Sequence, residues 1–441
     1  MKNPTNYLLI IFLCFFTLTS CSFNKKILSV NETQDAGNIK AQADENVKKT
    51  VSNSNTLTVW GYDENWLSYR QTLTGKYPNL ELKFIQSEGD ITDELMEKIA
   101  QGNAPDVVLM RGEFKGLGKL HYIDGVENLL EAPYNAKDMM GNFTKSQLSL
   151  VMTPDGKRMD AIPMIQYPSM AYYREDILKQ YGFPTDPVEL GKFMEKPDNW
   201  IAIARELKKH DKWIMQWRSE PLDIYCKNWG YFDNNMNYIR NTPDIAKMLY
   251  TIRIIKAEEL APFIGIWESA GQEAIRNGKM AMVYLGSWGE DKLKEWAPET
   301  AGKWRVTKLP FNANGFDGSS ALVITKNSEH KKEAWELIKM IVADEKKHFD
   351  IMVNQKSDFL GGQYAQRLYN EQRKKIPNNY YTPLDARLDG MWTTETRNYY
   401  EYTYKDMDDF QALKVIQGNI NYSFKNEIDI LANYLKSKNN N

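Results

Sequence analysis

Three apolar runs in the sequence each end in side chains suited to contacting a small ligand. Trp60 is followed by a glycine and then by Asp63, Arg111 is followed by Glu113, and a third run ends in Gly286-Ser287-Trp288. A tryptophan between glycines has no neighbouring side chain to pack on, although its large ring is costly to leave in water. Such a ring can cover an apolar face of a bound molecule, while carboxylates form strong, charge-assisted hydrogen bonds. These residue types indicate a binding site.

The elements that must position these groups are short strands alternating with helices. The segments "TLTVW", "NLELKFIQ" and "VVLM" are predicted strands, and segments with helical spacing of apolar residues separate them. This βαβαβ order predicts an open α/β sheet, in which ligands bind outside the carboxyl ends of the strands. A second α/β region, with several amphipathic helices and the strand "ALVIT", follows Pro163.

The amino terminus predicts export and attachment to a membrane surface. Residues 1–20 contain the apolar run "YLLIIFLCFFTL", which suits a signal peptide and is short for a membrane span. The ending "LTSC" resembles a bacterial lipobox, which implies cleavage before Cys21 and lipidation of its thiol; an ordinary signal peptide is the alternative. Residues 21–55 are polar and predict a flexible tether. We therefore expect an extracytoplasmic protein, lipid-anchored to the bacterial cell membrane.

The composition argues against several classes of protein. Basic and acidic residues nearly balance, at 56 and 58, so no electrostatic argument points to nucleic acid. The segment "GEFKGLGK" departs from phosphate-loop spacing and has Leu120 where Ser or Thr would stand. No metal or cofactor is expected, because the histidines lack metal-ligand spacing. They are His121, His210, His330 and His348.

Four motifs occur in the order found in a known family. They are "NAPDVVLM", "AIPMIQYPSMAYYREDIL", "NGKMAMVYLGSW" and "VTKLPFNANGFDGSSALVITKNSEHKKEAWELIKMI". Together they resemble the extracellular solute-binding proteins (family 1) of ABC transporters, the type that includes maltose-binding protein. The resemblance covers nearly all of residues 56–350, with Arg174 where the family usually has Asn.

The resemblance implies two α/β lobes joined by crossing segments, with the ligand in the cleft between them. It predicts one lobe from residues 56–163 and 268–318, and the other from residues 164–267 and 319–441. The crossings are expected near residues 161–168, 260–267 and 319–325.

The resemblance also implies a function. We expect a monomeric binding protein, not an enzyme, that captures a carbohydrate such as an oligosaccharide by lobe closure. The closed complex would deliver the ligand to a membrane permease, with energy supplied by a separate ATPase.

A sugar has a polar rim and apolar C–H faces, so a flat ring beneath it contributes about 1–2 kcal/mol by burial. Trp288 is predicted to stack in this way; a tryptophan that caps the sheet edge is the alternative. The resemblance adds further ligand-binding residues, which are Trp60, Asp63, Arg111, Glu113, Tyr167, Trp229, Ser319 and Trp392.

Several of these residues have other roles open to them. A helix N-cap formed by Asp63 or Glu64 is an equal alternative to ligand binding, and Arg111 competes with Glu113 for the same contact. Core packing is an equal alternative for three aromatic residues, which are Tyr167, Trp229 and Trp392.

Three rival functions remain at this point. A surface-anchored carbohydrate-active enzyme would need two paired carboxylates, and no local spacing marks a pair among Asp63, Glu113, Asp385 and Asp389. The others are a solute-binding protein for a non-sugar ligand and a structural adhesin.

Overall fold

The computed structural model describes residues 55–61, 68–87, 91–111, 116–403 and 407–439. Residues Asn55–Asn441 form one structural unit. The predicted signal peptide, the tether up to residue 54 and Cys21 lie outside the described residues.

Seven strands in this part of the chain form one sheet, in the order β2-β1-β3-β7-β4-β5. Strand β6 also pairs with β4. They are β1 (Thr56–Gly61), β2 (Glu81–Gln86), β3 (Val107–Arg111), β4 (Ile162–Arg174), β5 (Met282–Gly286), β6 (Trp304–Thr307) and β7 (Phe316–Ile324). The first three strands are parallel, as the βαβαβ pattern predicted, and the other pairings are antiparallel.

Helices surround these strands. They are α1 (Arg70–Lys76), α2 (Thr92–Gln101), α3 (Leu117–Leu120), α4 (Lys145–Val151), α5 (Glu175–Gln180), α6 (Pro187–Phe193), α7 (Pro197–Lys208), α8 (Glu220–Tyr225), α9 (Pro243–Ala257), α10 (Ser269–Arg276), α11 (Gly289–Trp296), α12 (Lys331–Met352), α13 (Ala365–Arg373), α14 (Asp385–Asn398), α15 (Asp409–Ser423) and α16 (Lys425–Asn439). Short 3-10 helices lie at Ala136–Asn142, Pro298–Thr300 and Pro310–Asn312, and a π-helical turn at Tyr399–Thr403.

The buried side chains form separate cores, and these cores divide the sheet between two lobes. In the first lobe, β1, β3, the start of β4, most of β7 and the apolar face of α12 share one core. In the second lobe, the sheet of β4, β5 and β6 separates two cores. Successive residues of β4 point to opposite faces, so Ala171 and Tyr173 enter one core while Met170 and Tyr172 enter the other.

Two long antiparallel strands, β4 and β7, connect the lobes. The start of β4 pairs with β7 in the first lobe, through partners such as Ile162 and Leu322, and its end pairs with β5 and β6 in the second. The pairing of β4 with β7 is irregular between Pro163 and Pro168. This is the region where the first crossing was predicted.

The structure corrects the predicted division into domains. Residues 282–286 and 304–307 pair with the second half of β4 and therefore belong to the second lobe, not the first. Strand β7 beyond Ser319 and helix α12 pack in the first lobe, not the second. The predicted crossing near residues 260–267 is also wrong, because Leu260 and Ile266 are buried in the second-lobe cores.

Candidate ligand-binding cleft

The floor of the candidate site is the place where β4 and β7 pass between the lobes. Gly318 has a φ of +94°, and a Cβ at this position would lie 3.4 Å from Tyr167 Cδ2 and 3.8 Å from Trp288 Nε1. Ser319 follows directly and pairs with Gln166 of β4. Three of the predicted ligand-binding residues, Tyr167, Trp288 and Ser319, are thus brought together around a glycine that has no side chain to separate them.

The indole of Trp288 is folded back across the end of β5. Its Nε1 donates a hydrogen bond to the carbonyl oxygen of Asp317, at 2.8 Å. A Cβ on Gly286 would lie only 2.3 Å from that nitrogen and 2.7 Å from the Asp317 oxygen. Gly286 therefore allows the ring to cross the end of β5 and to contact β7, one of the two crossing strands.

A cavity of about 360 Å³ opens beside this ring, and we call it the hinge cavity. Its wall includes three tryptophans, Trp217, Trp267 and Trp288. Trp267 is 58% exposed, and its ring centroid lies 5.9 Å from that of Trp288, with the planes tilted by 43°. The edge-on contact with Trp296, at 5.1 Å, supports Trp267 from its other side. Exposed indoles held in this way offer apolar faces to a ligand.

Charged groups occupy the same cavity wall. Glu220, Asp223 and Asp317 supply carboxylates, and Lys227 supplies an ammonium whose Nζ lies 3.4 Å from Asp317 Oδ2. Glu220 is only 6% exposed, and its Oε2 accepts hydrogen bonds from the backbone N–H groups of Gln216 (3.0 Å) and Trp217 (3.3 Å). It therefore fixes the segment that carries the Trp217 ring.

Both carboxyl groups of α8 bind their protons more tightly than usual. Burial, and then the neighbouring charge of Asp223, raise the pKa of Glu220 to about 7. Asp223 exposes its side chain and lines two cavities, but the surrounding protein displaces water and raises the pKa of its carboxyl. A hydrogen bond from Ser219 Oγ, at 2.8 Å, acts in the opposite direction.

A second cavity of about 310 Å³ shares Asp223 and Lys227 with the first. Its wall includes Trp229 and Trp392. Buried Arg240 holds this wall, since its guanidinium donates to the carbonyl oxygens of residues 229 and 230 and lies 5.2 Å from the Trp392 ring. The two cavities therefore form neighbouring compartments of one polar and aromatic region.

A wider groove of about 1610 Å³ lies between the lobes on the other side of Trp288. First-lobe residues such as Tyr69 and second-lobe residues such as Ser287 and Tyr369 face it, and so does Tyr167 of the crossing strand. Trp288 is shared by this groove and the hinge cavity. Trp288 therefore lies at the junction of the two lobes.

Comparison with known families identifies the class of protein. The family profile for bacterial extracellular solute-binding proteins matches residues 68–348, which is more than half of the chain. The chain belongs to the bacterial extracellular solute-binding proteins. This membership confirms the resemblance drawn from the sequence motifs, and it is a family of binding proteins that act outside the cytoplasm.

Solved structures of such solute-binding proteins share the fold. The sugar-binding protein MalE from Xanthomonas citri aligns with a TM-score of 0.67 at 16% identity, covering 85% of this chain and 99% of its own. The galacto-N-biose-/lacto-N-biose I-binding protein from Bifidobacterium longum, in complex with lacto-N-biose, aligns at 0.65 and 16%, covering 84% and 97%. The GacH receptor of Streptomyces glaucescens aligns at 0.61 and 14%, covering 84% and 98%. The predicted two-lobed α/β fold is confirmed.

The other predicted site residues of this solute-binding protein are placed as follows. Trp229 and Trp392 both line the second cavity, and Trp392 is 5% exposed. Trp60 is 4% exposed in the first-lobe core, with Lys98 Nζ 5.7 Å from its ring, so it has little surface left for a ligand. Asp63, Glu113 and the side chain of Arg111 lie outside the described residues.

Sequence reasoning missed several residues of the hinge cavity, including Lys227 and Asp317. Four others are Trp217, Glu220, Asp223 and Trp267. None of them follows a strand, which was the signal used to choose candidates. Glu220 begins α8 next to Pro221, a placement typical of ordinary helix starts. The unusual density of tryptophan in "DKWIMQW" and "FIGIW" was the remaining clue.

Two of the carboxylates considered for an enzyme, Asp385 and Asp389, lie in the described part of the chain, and both accept hydrogen bonds from Tyr231. Asp385 Oδ1 accepts from the backbone N–H of Tyr231, at 3.1 Å, and burial raises the pKa of its carboxyl to about 6. Asp389 accepts from the Tyr231 hydroxyl, at 2.9 Å. Within the described part of the chain, no group of His, Cys, Asp or Glu is arranged to hold a metal ion, and no helix could cross a bilayer.

Proposed function

We propose that this solute-binding protein captures a carbohydrate, such as an oligosaccharide, in the hinge cavity and delivers it to the membrane permease of an ABC importer. The observation that carries the proposal is the pair of rings Trp267 and Trp288 beside Glu220, Asp223 and Asp317. The solved relative from Bifidobacterium longum holds lacto-N-biose, which supports the same class of ligand. Lipidation of Cys21 would keep the protein near the permease, and a separate ATPase would supply the energy.

The hinge cavity matches the two kinds of surface on a sugar. Each indole face that covers C–H groups contributes about 1–2 kcal/mol by burial. The ring hydroxyls require acceptors at their edges, and carboxylates give charge-assisted hydrogen bonds that are stronger than neutral ones. Rings and carboxylates in one cavity can therefore bind the face and the rim of the same sugar.

Ligand binding would be coupled to lobe closure. A ligand favours the closed form only by binding it more tightly than the open form. Trp288 borders both the hinge cavity and the inter-lobe groove, so a ligand stacked on it can also reach residues of the first lobe. The closed complex would then be the form that the permease recognises.

The proposal is tested by thermal unfolding of the full chain with a panel of oligosaccharides. We expect a bound sugar to raise the melting temperature by mass action, and Trp288→Ala to remove the shift. Tyr422→Ala, which truncates an exposed ring of α15 away from the cavity, serves as the matched control and should keep the shift. A panel in which peptides or polyamines raise the melting temperature and sugars do not would overturn the carbohydrate assignment.

A further inference from the structure

The hinge cavity has more negative than positive charge. Its wall includes three carboxylates, from Glu220, Asp223 and Asp317, and a single ammonium, from Lys227. Lys227 pairs with Asp317, the carboxylate on β7. The two carboxylates on α8 form no ion pair among the described residues, and the charge of Lys227 only lowers their pKa from a distance.

The hydrogen bonds and the pKa directions of Glu220 and Asp223 agree with this excess of negative charge. Among the ion pairs of the described residues, none includes Glu220 or Asp223; their hydrogen bonds come from backbone N–H groups and from the Ser219 hydroxyl. The surrounding protein displaces water and so raises the pKa of both carboxyls, and the charge of Asp223 raises the pKa of Glu220 further. A positive charge brought into the cavity would stabilise the charged form of both carboxyls and would offset their desolvation and mutual repulsion.

A second observation in the same cavity is independent of the acidic groups. Ser169 of β4 is 7% exposed and lines the cavity, yet its Oγ has no hydrogen-bond partner among the described residues. Buried polar atoms nearly always have a partner. Ser169 Oγ can therefore form a hydrogen bond with a group that enters the cavity.

The aromatic wall also favours a cation. Trp217, Trp267 and Trp288 present indole rings to the cavity, and the faces of indole rings attract ammonium groups electrostatically. A neutral sugar uses only the apolar character of these faces. A sugar that carries a protonated amine uses both the apolar character and the charge.

We propose that the ligand of the hinge cavity is an amino sugar, whose protonated amine is bound by Glu220 and Asp223. This inference rests on the proposed function and names the class of sugar. The ammonium donates to the two carboxylates of α8, Ser169 Oγ accepts a further hydrogen bond, and the indoles cover the ring of the sugar. Lys227 disfavours the same ligand by charge repulsion and confines the amine to the side of the cavity away from Asp317.

Isothermal titration of the full chain with matched sugars tests the inference. The probes are glucosamine, N-acetylglucosamine and glucose, each as the monosaccharide and as the β-1,4-linked disaccharide, so that only the substituent at carbon 2 of each unit changes. We expect the amine to bind at least about tenfold more tightly than either neutral member of the set, because a charge-assisted contact replaces a neutral one. Added salt should weaken the amine more than the neutral sugars.

Four variants assign the effect to named residues. Glu220→Gln and Asp223→Asn should each reduce the preference for the amine severalfold, and Asp244→Asn, on an exposed face of α9, should leave it unchanged. Lys227→Met removes the competing cation and should tighten amine binding severalfold, a gain that damage to the fold would not produce. Each variant is compared with the parent by its melting temperature without ligand.

The outcomes separate this inference from the proposed function. Neutral sugars that bind as tightly as the amine, or Lys227→Met with no gain, overturn the amino-sugar inference and leave carbohydrate capture intact. Binding of spermidine alone, with no sugar bound, overturns the proposed function together with the inference. The absence of binding by every probe overturns the inference as well.

Discussion

At the scale of single residues, Trp288 depends on a glycine and on a distant carbonyl group for the position of its ring. Its place after an apolar strand, beside glycines, marked it as a ligand residue. The sequence suggested that the glycines leave the ring free, whereas Gly286 in fact makes room for the indole to cross the strand. Its partner, the carbonyl oxygen of Asp317, is 29 residues away in the chain. A contact with a backbone atom so distant in sequence leaves no local signal.

Gly286→Ala tests this packing directly. The added Cβ would overlap the Trp288 indole and the Asp317 carbonyl oxygen, so we expect a loss of about 1–3 kcal/mol in the free energy of unfolding and weaker sugar binding. Gly418→Ala is the matched control, because it lies in α15 with no atom within 4 Å of the new Cβ. It should stabilise the protein by about 0.5–1 kcal/mol. Denaturant midpoints measure both, and equal midpoints would contradict the proposed role of Gly286.

At the scale of elements, strands with strong local patterns were predicted, but the pairing of strands that lie far apart in the sequence was not. The strands β1, β2 and β3 and their parallel order follow from alternating and buried apolar runs separated by helices. By contrast, β5 was assigned to the wrong lobe. Its apolar run would suit the sheet of either lobe. Only its pairing with the second half of β4, more than 100 residues earlier, places it in the second lobe.

The motif "PDVV" has a physical reason that joins several elements. Asp106 is buried, and its Oδ2 accepts from the backbone N–H (2.7 Å) and hydroxyl (2.6 Å) of Thr58 in β1. Its Oδ1 accepts from the hydroxyl of Ser328, at 2.7 Å, shortly before α12. One carboxylate therefore ties together the first strand, the third strand and the helix that covers them.

Asp106→Asn should break this junction. An amide nitrogen cannot accept a hydrogen bond, so at least one buried donor loses its partner, at a cost of about 1–3 kcal/mol in the free energy of unfolding. Asp124→Asn is the control, because it removes an exposed carboxylate that pairs with Lys326, and such pairs contribute about 1 kcal/mol or less. Chemical denaturation provides the comparison. A variant at position 106 no less stable than the one at position 124 would show that the junction is unimportant.

At the scale of the whole molecule, the crossing strands suit a rotation of the two lobes about a short hinge region. The crossing strands β4 and β7 pair irregularly between Pro163 and Pro168, and Gly318 in the facing strand has a positive φ. Hinges are short segments that absorb changes in backbone angles while the packed cores stay intact. The separate cores of the two lobes therefore favour rotation about this region over deformation within either lobe.

Lobe closure gives a prediction for the molecule as a whole. A sugar that raises the melting temperature should also lower the radius of gyration in small-angle scattering, because binding across the groove draws the lobes together. Hydrogen exchange should slow in the crossing segments, residues 165–169 and 316–319, and change little in β1 and β3, whose pairing is already complete within the first lobe. Trp288→Ala, tested at the same sugar concentration, should show neither effect because it removes the ring shared by the cavity and the groove. A sugar that binds the parent tightly and leaves both its scattering profile and its exchange pattern unchanged would mean that capture occurs within the second lobe alone, without closure.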